Sequence, residues 1–301
     1  MTVSTYARIA TLFFVLTGLL MLLGYAVGLY FGDPLGFMLI GLVFAGVVNF
    51  AAYFWSDKIV VKMARARIIQ ENDNPTLYGI IRRVSYQAGL PMPRVGIVEQ
   101  AKPNAFATGR GPKNAVVVAT SGILTSLNTE ELEAVIGHEV GHVVHRDILI
   151  SSIAATIAGV VSYLGNLALW SAWGGSARGR QNSTGLVTLL LASILVPLGA
   201  TFVRLGISRS FEYNADEYGA RLTQKPGALI TALEKISFHA NTRTTSGNAG
   251  PSSTATPTAS LWIVNPFRGQ SLVELFSTHP PTQKRINRLK RTAEEIGIYI
   301  P

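Results

Sequence analysis

The sequence predicts a mainly α-helical membrane protein that carries a smaller α+β domain, a small β-sheet plus helices. Three observations predict it. Of 301 residues, 48% are hydrophobic and only 14% are charged, whereas soluble domains are about a quarter charged. The apolar residues are gathered into long runs at the start and in the middle of the chain. The remaining stretches return to the periodicities and turn residues of water-exposed structure.

The first apolar run covers residues 9–31 and the second 35–55. Each is roughly 20 residues, the length that spans a ~30 Å hydrocarbon core as a helix. Gly32-Asp33-Pro34 breaks the chain between them. A secretory leader is the rival reading of the first run, but the run is long and a second follows at once. Arg8 precedes the pair, and Lys58, Lys62, Arg65 and Arg67 follow it, while the hairpin carries no positive charge. The positive-inside rule then places the N-terminus and the segment after Trp55 in the cytosol.

Residues 72–147 read as soluble structure. Residues 76–88 have helical periodicity; 94–98, 104–108 and 115–119 are short β-rich runs with Gly-Pro turn signals. Residues 129–145 form a helix, with Asn128 or Thr129 as N-cap and Glu130 and Glu131 in its first turn. Two further apolar runs, 148–173 and 186–203, are joined by a Gly/Ser-rich connector. Pro197 interrupts the second, and Arg178 and Arg180 lie where the positive-inside rule disfavours them. Two spans are favoured; a pair of buried or partly inserted helices is the alternative. Helices are then expected at 208–222, 226–238 and 282–298, with a Thr/Ser/Gly/Pro-rich loop at 241–259. The organisation expected is a transmembrane hairpin (1–57), a first part of the soluble domain (58–147), a second apolar helix pair (148–204) and a second soluble part (205–301).

The chain has no cysteine, so disulfides and thiolate metal sites are excluded, and His, Asp or Glu must hold any metal. The net charge of +9 admits a nucleic-acid binder. However, no zinc-finger spacing and no aromatic-basic stripe supports one, and juxtamembrane Lys and Arg facing anionic lipid account for the charge.

The strongest chemical signal is His138-Glu139-Val140-Gly141-His142. Four residues are just over one helical turn, so the two imidazoles share a face and can share a metal. Glu139 lies beside them, placed to act on water as a general base. Only 5 histidines occur in the chain, which argues against a chance match. A zinc site needs a third protein ligand. Glu212, in Glu212-Tyr213-Asn214-Ala215-Asp216, is the best candidate. Asp216, one turn along, is placed to accept a hydrogen bond from the other nitrogen of a ligand histidine. His145 lies on the same helix as the pair, but a third ligand from that helix would crowd the geometry; His239 reads as solvated.

Residues 131–142 resemble the active-site helix of HtpX-type membrane zinc peptidases, 212–216 their third-ligand motif, and Ser277-Thr278-His279-Pro280-Pro281 their closing motif. The CAAX prenyl proteases are more distant relatives of that group. The resemblance implies a zincin-like metalloprotease domain with active-site helices. It implies one Zn2+ per chain on His138, His142 and Glu212, with Glu139 as base. His279 would hydrogen-bond the oxyanion, and Arg285 would assist or pair with an acidic group. It further implies a quality-control endopeptidase in the bacterial inner membrane, facing the cytosol and acting on misfolded or damaged membrane proteins. Asn104-Ala105-Phe106 also resembles zinc-peptidase patterns and is a candidate edge strand on which an extended substrate pairs, with Asn104 adding a side-chain bond. The alternative reading is a membrane scaffold or binding protein whose metal site is structural.

Overall fold

In a computed structural model, residues 3–176, 209–242 and 280–300 are described. They fall into two compact units, one within Met1–Trp55 and Ile153–Gly206, the other within Ser56–Ser152 and Ile207–Pro301. The expected fourth apolar run at 186–203, most of the 241–259 loop and His279 lie outside the described residues.

Helix α1 (Val3–Phe31) and helix α2 (Pro34–Met63) form a hairpin. Gly32 turns the chain at φ 84°, a conformation that glycine adopts without steric cost. Asp33 then caps α2 by accepting from the Gly36 amide at 2.9 Å, and Pro34 opens the helix, where its missing N–H costs nothing. A stripe of Ile9, Leu12, Leu16 and Leu20 is buried, while Phe14, Leu22, Val43, Val47 and Phe50 face outward. Lipid tails are as apolar as leucine, so close backbone approach must hold such a hairpin together. Two glycines permit it: a Cβ on Gly24 would lie 2.2 Å from the Phe37 carbonyl oxygen, and one on Gly41 2.3 Å from that of Leu20. Asn49 pins the register by donating to Thr17 Oγ1 at 3.0 Å. The second helix runs past the expected end at Trp55 as far as Met63. Thirty residues rise roughly 45 Å, so the last turns stand beyond a hydrocarbon core. There Asp57 pairs with Arg94 at 2.6 Å.

The second unit is built on a four-stranded sheet in the order β1 (Arg67–Ile69), β2 (Arg94–Val98), β4 (Val116–Thr120) and β3 (Ala105–Thr108). Strands β2 and β4 run parallel, and the two outer pairs are antiparallel. Strand β1 escaped the sequence reading because three residues give too short a period to detect. Strands β2 and β4 are buried almost throughout, as strands covered on both faces must be. Helix α3 (Pro75–Gln87) starts at Asn74, whose side chain accepts from the Leu77 amide. It presents Leu77, Ile81 and Val84 to a core shared with Val117, Ala119, Val135 and Ile136. A short helix α4 (Ser121–Ser126), not anticipated, follows β4 and is capped by Thr120.

Helix α5 (Thr129–His145) has the expected bounds and is capped at Asn128 by a reciprocal box with Glu131. Arg146 ends it in the left-handed conformation, φ 62°. Helix α6 (Asp147–Ser176) follows directly. Among the described residues, Tyr6–Leu29, Pro34–Met63 and Asp147–Asn166 are long and apolar enough to cross a membrane. The first two are mostly exposed and the third is 67% buried, so α6 packs inside protein where α1 and α2 offer side chains to lipid. Helices α7 (Arg209–Thr223), α8 (Pro226–Thr242) and α9 (Thr282–Glu295) complete the unit. Helix α8 outlasts the expected end at Phe238 by one turn.

Candidate metal centre

Helix α5 is fixed before it offers any chemistry. Glu131 pairs with Lys235 at 2.7 Å, and Glu133 with both Arg83 and Lys225 at 2.8 and 2.9 Å. Its residues from Glu131 to Gly141 are buried without a break. Helix α7 buries Glu212, Ala215, Asp216, Gly219, Ala220 and Thr223, a helical stripe of period 3.6 made of small and acidic residues instead of large apolar ones. The two helices cross where both stripes are smallest. A Cβ on Gly219 would lie 2.6 Å from the His138 backbone nitrogen, and one on Gly141 3.1 Å from Ala215 Cα. This close crossing lets a short glutamate reach two histidines.

His138 Nε2 and His142 Nε2 lie 3.2 Å apart. Glu212 brings Oε1 to 3.5 Å from His142 Nε2 and Oε2 to 3.8 Å from His138 Nε2. Ligands at roughly 2.0–2.2 Å around a tetrahedral zinc stand roughly 3.3–3.5 Å apart. The trio therefore fits one such ion, and it is the group of metal-binding character among the described residues. Two imidazoles and one carboxylate suit zinc and leave a fourth position open.

A carboxylate stands behind each imidazole. His138 Nδ1 is 2.9 Å from Asp216 Oδ1, and His142 Nδ1 is 3.5 Å from Asp147 Oδ2. Asp216 is itself gripped by Arg285, Nε to Oδ2 at 2.8 Å and a terminal nitrogen to Oδ1 at 2.6 Å. Arg285 is 1% exposed and also stands 3.4 Å from Glu212 Oε2. The C-terminal helix α9 thereby reaches the centre through one buried guanidinium. Sequence reasoning missed Asp147; its one signal is position, five residues beyond His142 at the first residue of the next helix.

The electrostatics follow from burial and these partners. Burial keeps His138 below its ordinary pKa despite Asp216, which favours the neutral ring that ligates. Burial works against the charge on His142 as well, but the carboxylates of Asp147 and Glu212 outweigh it and push the metal-free residue up to about 10. Burial would raise Asp216, yet Arg285 and His138 hold it below the carboxylate range. Burial raises Glu139 to about 7, with His142 opposing and Glu212 assisting; the Ala107 amide donates to it.

That amide belongs to β3, an edge of the sheet. The Thr120 amide donates to the Asn104 carbonyl at 2.9 Å. In an antiparallel pair such bonds alternate, so Ala105 and Ala107 direct their backbone groups away from β4. Asn104 and Ala105 are both buried at that edge. The structure thus brings together His138, Glu139, His142, Glu212, Asp216 and Arg285, with Asn104 and Ala105 on the adjoining edge strand. His145 is exposed against the Tyr218 ring, centroids 5.4 Å apart, and His239 is exposed with Nδ1 2.8 Å from the Lys235 carbonyl.

Comparison with known proteins identifies the family. Residues 71–293 match the model of peptidase family M48. Proteins called Protease HtpX homolog are 47% identical in Thermococcus sibiricus, covering 97% of this chain and 98% of the relative, and 47% in Pyrococcus furiosus, covering 99% of each. Another from Syntrophobacter fumaroxidans is 45% identical, covering 94% of this chain and 98% of the relative. The crystal structure of S. mikatae Ste24p aligns at 17% identity with a TM-score of 0.46, over 95% of this chain and 66% of that one. The chain belongs to peptidase family M48 and is a membrane metalloprotease of the HtpX group.

Proposed function

We propose that the chain is a zinc endopeptidase holding one Zn2+ per chain on His138, His142 and Glu212, with Glu139 as its general base. The observation that carries this is the convergence of two Nε2 atoms and one carboxylate at the spacing of zinc ligands, with the buried Glu139 beside them. When bound, zinc polarises a carbonyl and acidifies water.

The chain's own residues supply the rest. A substrate strand pairs with β3 at Ala105, the edge of the sheet among the described residues, and Asn104 adds a side-chain bond, which orients a peptide with little regard to its sequence. Glu139 takes a proton from the attacking water onto its carboxylate and passes it to the leaving amine. Burial raises this carboxyl above its ordinary value in the metal-free chain, the direction that makes it a better base. Asp216 and Asp147 hold the imidazoles of His138 and His142 in the orientation and tautomer that present Nε2 to the metal. Arg285 acts through Asp216 as a positioning residue. His279, from the closing motif, is assigned the hydrogen bond to the oxyanion. A site that merely stabilised the fold would have no use for a base at Glu139.

Substrates are misfolded or damaged membrane proteins, and the catalytic unit faces the cytosol, as Arg8, Lys58, Lys62 and a hairpin without positive charge indicate. Relatives come from Thermococcus and Pyrococcus as well as Syntrophobacter, so the membrane proposed is a cytoplasmic membrane in general. Elemental analysis of the purified chain tests the centre: one zinc per chain is expected, lost in Glu212→Ala and in His142→Ala. Equal zinc in parent and variants would overturn the ligand set.

A further inference from the structure

One end of the sheet is tied twice to helices that enter the membrane. Arg94, the first residue of β2, bonds Asp57, two residues beyond Trp55 on α2. At the end of β3, Thr108 Oγ1 and Ser152 Oγ lie 2.6 Å apart, and the Gly109 amide donates to the same Ser152 at 3.2 Å. Ser152 is the sixth residue of α6, already inside the apolar stretch Asp147–Asn166. Arg94 stands opposite Val116 and Thr108 opposite Val116, so both ties fall at the same level of the sheet.

The loop between β3 and β4, residues 109–115, therefore leaves the sheet at the end tied to these two helices. Gly109 and Gly111 turn it at φ 139° and 143°. The first has no room for a side chain, since a Cβ would lie 2.4 Å from the Asn114 carbonyl oxygen. Folded this tightly, the loop holds Arg110 and Lys113 outward, and both are exposed, as are Lys58 and Lys62 on the last turns of α2. Four exposed cations thus lie on the β3–β4 loop and on the last turns of α2, the helix to which β2 is tied. The acidic pair member there, Asp57, is buried and engaged by Arg94.

We propose that the β3–β4 loop is a membrane-surface contact that binds anionic phospholipid headgroups through Arg110 and Lys113, continuing the basic collar of Lys58 and Lys62. Bilayer charge would then act on β3, whose Ala107 amide donates to Glu139. The contact is distinct from the membrane spans themselves and does not depend on the protease reading.

The test uses the full-length chain, which has no cysteine, with Asn114→Cys or Ala101→Cys carrying an environment-sensitive fluorophore. Ala101 is exposed beyond the opposite end of the strands, roughly 13 Å or more away along five-residue strands. Each labelled protein is reconstituted into vesicles containing spin-labelled phosphatidylglycerol or spin-labelled phosphatidylcholine, the nitroxide near the top of the acyl chain. Strong quenching at position 114 and little at 101 is expected, with phosphatidylglycerol the better quencher. That preference should fall roughly fivefold for each of Arg110→Gln and Lys113→Gln. Lys113→Gln is read on its own account, since Arg110 also interacts within the protein, and circular dichroism confirms the fold of each variant. Quenching at 114 no greater than at 101 would overturn the contact. Equal quenching by the two lipids in parent and variants would overturn its recognition of anionic headgroups.

Discussion

Arg285 holds Asp216 by both oxygens, at 2.8 and 2.6 Å, in a pocket where neither side chain is more than 2% exposed. A buried ion pair of this kind adds little over an apolar replacement of both partners, but breaking it on one side leaves an uncompensated charge that costs about 3–5 kcal/mol. Arg285→Met and Asp216→Asn are each expected to destabilise the chain on that scale, and the double variant by less than the sum, because the two share one interaction. Denaturant unfolding of the four proteins measures the cycle. Additive losses would contradict a direct coupling.

The crossing of α5 and α7 depends on Gly219, whose Cβ would meet the His138 backbone nitrogen at 2.6 Å. Gly219→Ala must push the helices apart, at an overpacking cost of about 1–3 kcal/mol. Glu212 rides on α7, so the same variant should weaken zinc affinity even though it touches no ligand. Zinc titration against a competing chelator checks this; unchanged affinity with reduced stability would show that Glu212 reaches the histidines by another route.

Asp147 stands behind His142 as Asp216 stands behind His138. Losing a carboxylate of this type costs about 10–100-fold in metal affinity. Asp147→Asn is expected to fall in that range, with the fold intact by circular dichroism.

The chelator-stripped chain should be less stable at alkaline than at mildly acidic pH. Glu139 is raised to about 7 and His142 to about 10. A group raised above its ordinary value contributes stability that is whole below that value and lost as pH climbs through the folded one. For Glu139 the window runs from its ordinary 4.5 to about 7, and for His142 from 6.5 to about 10. Melting temperature should therefore fall between pH 6 and pH 10, less steeply in His142→Gln. Zinc must displace the His142 proton, so zinc uptake should release protons, and affinity should strengthen as pH rises. A metal-free chain equally stable at both pH values would contradict the assignment.

Much of this was legible in the sequence, for identifiable reasons. The His138–His142 pair and its capped helix are local, set by a four-residue spacing and by Asn128 with Glu131 three residues on. The membrane helices follow from length and hydropathy. Glu212 and Asp216 were legible only through a motif, because their meeting with α5 depends on a crossing 70 residues away in sequence. The means of that crossing, Gly141 and Gly219, was not legible: a glycine inside a helix signals weakness locally and shows its use only against a neighbour. The same holds for Asp147, which reads as the last residue of a soluble stretch before an apolar run; Arg285 was reached through the resemblance, as a residue that assists or pairs with an acidic group, because its amphipathic helix alone does not show that one of its cations is buried. The extension of α2 to Met63 was missed because its last turns are polar on the outside and no proline or glycine stops them.

The central claim is that Glu139 moves the proton at a zinc centre it does not ligate. Its most direct test is cleavage of an unfolded protein by the detergent-purified, zinc-loaded chain beside Glu139→Gln. The variant should keep its zinc and lose activity by at least the roughly 10²–10⁴-fold that general acid–base catalysis supplies. Equal cleavage by a zinc-replete Glu139→Gln would contradict the account.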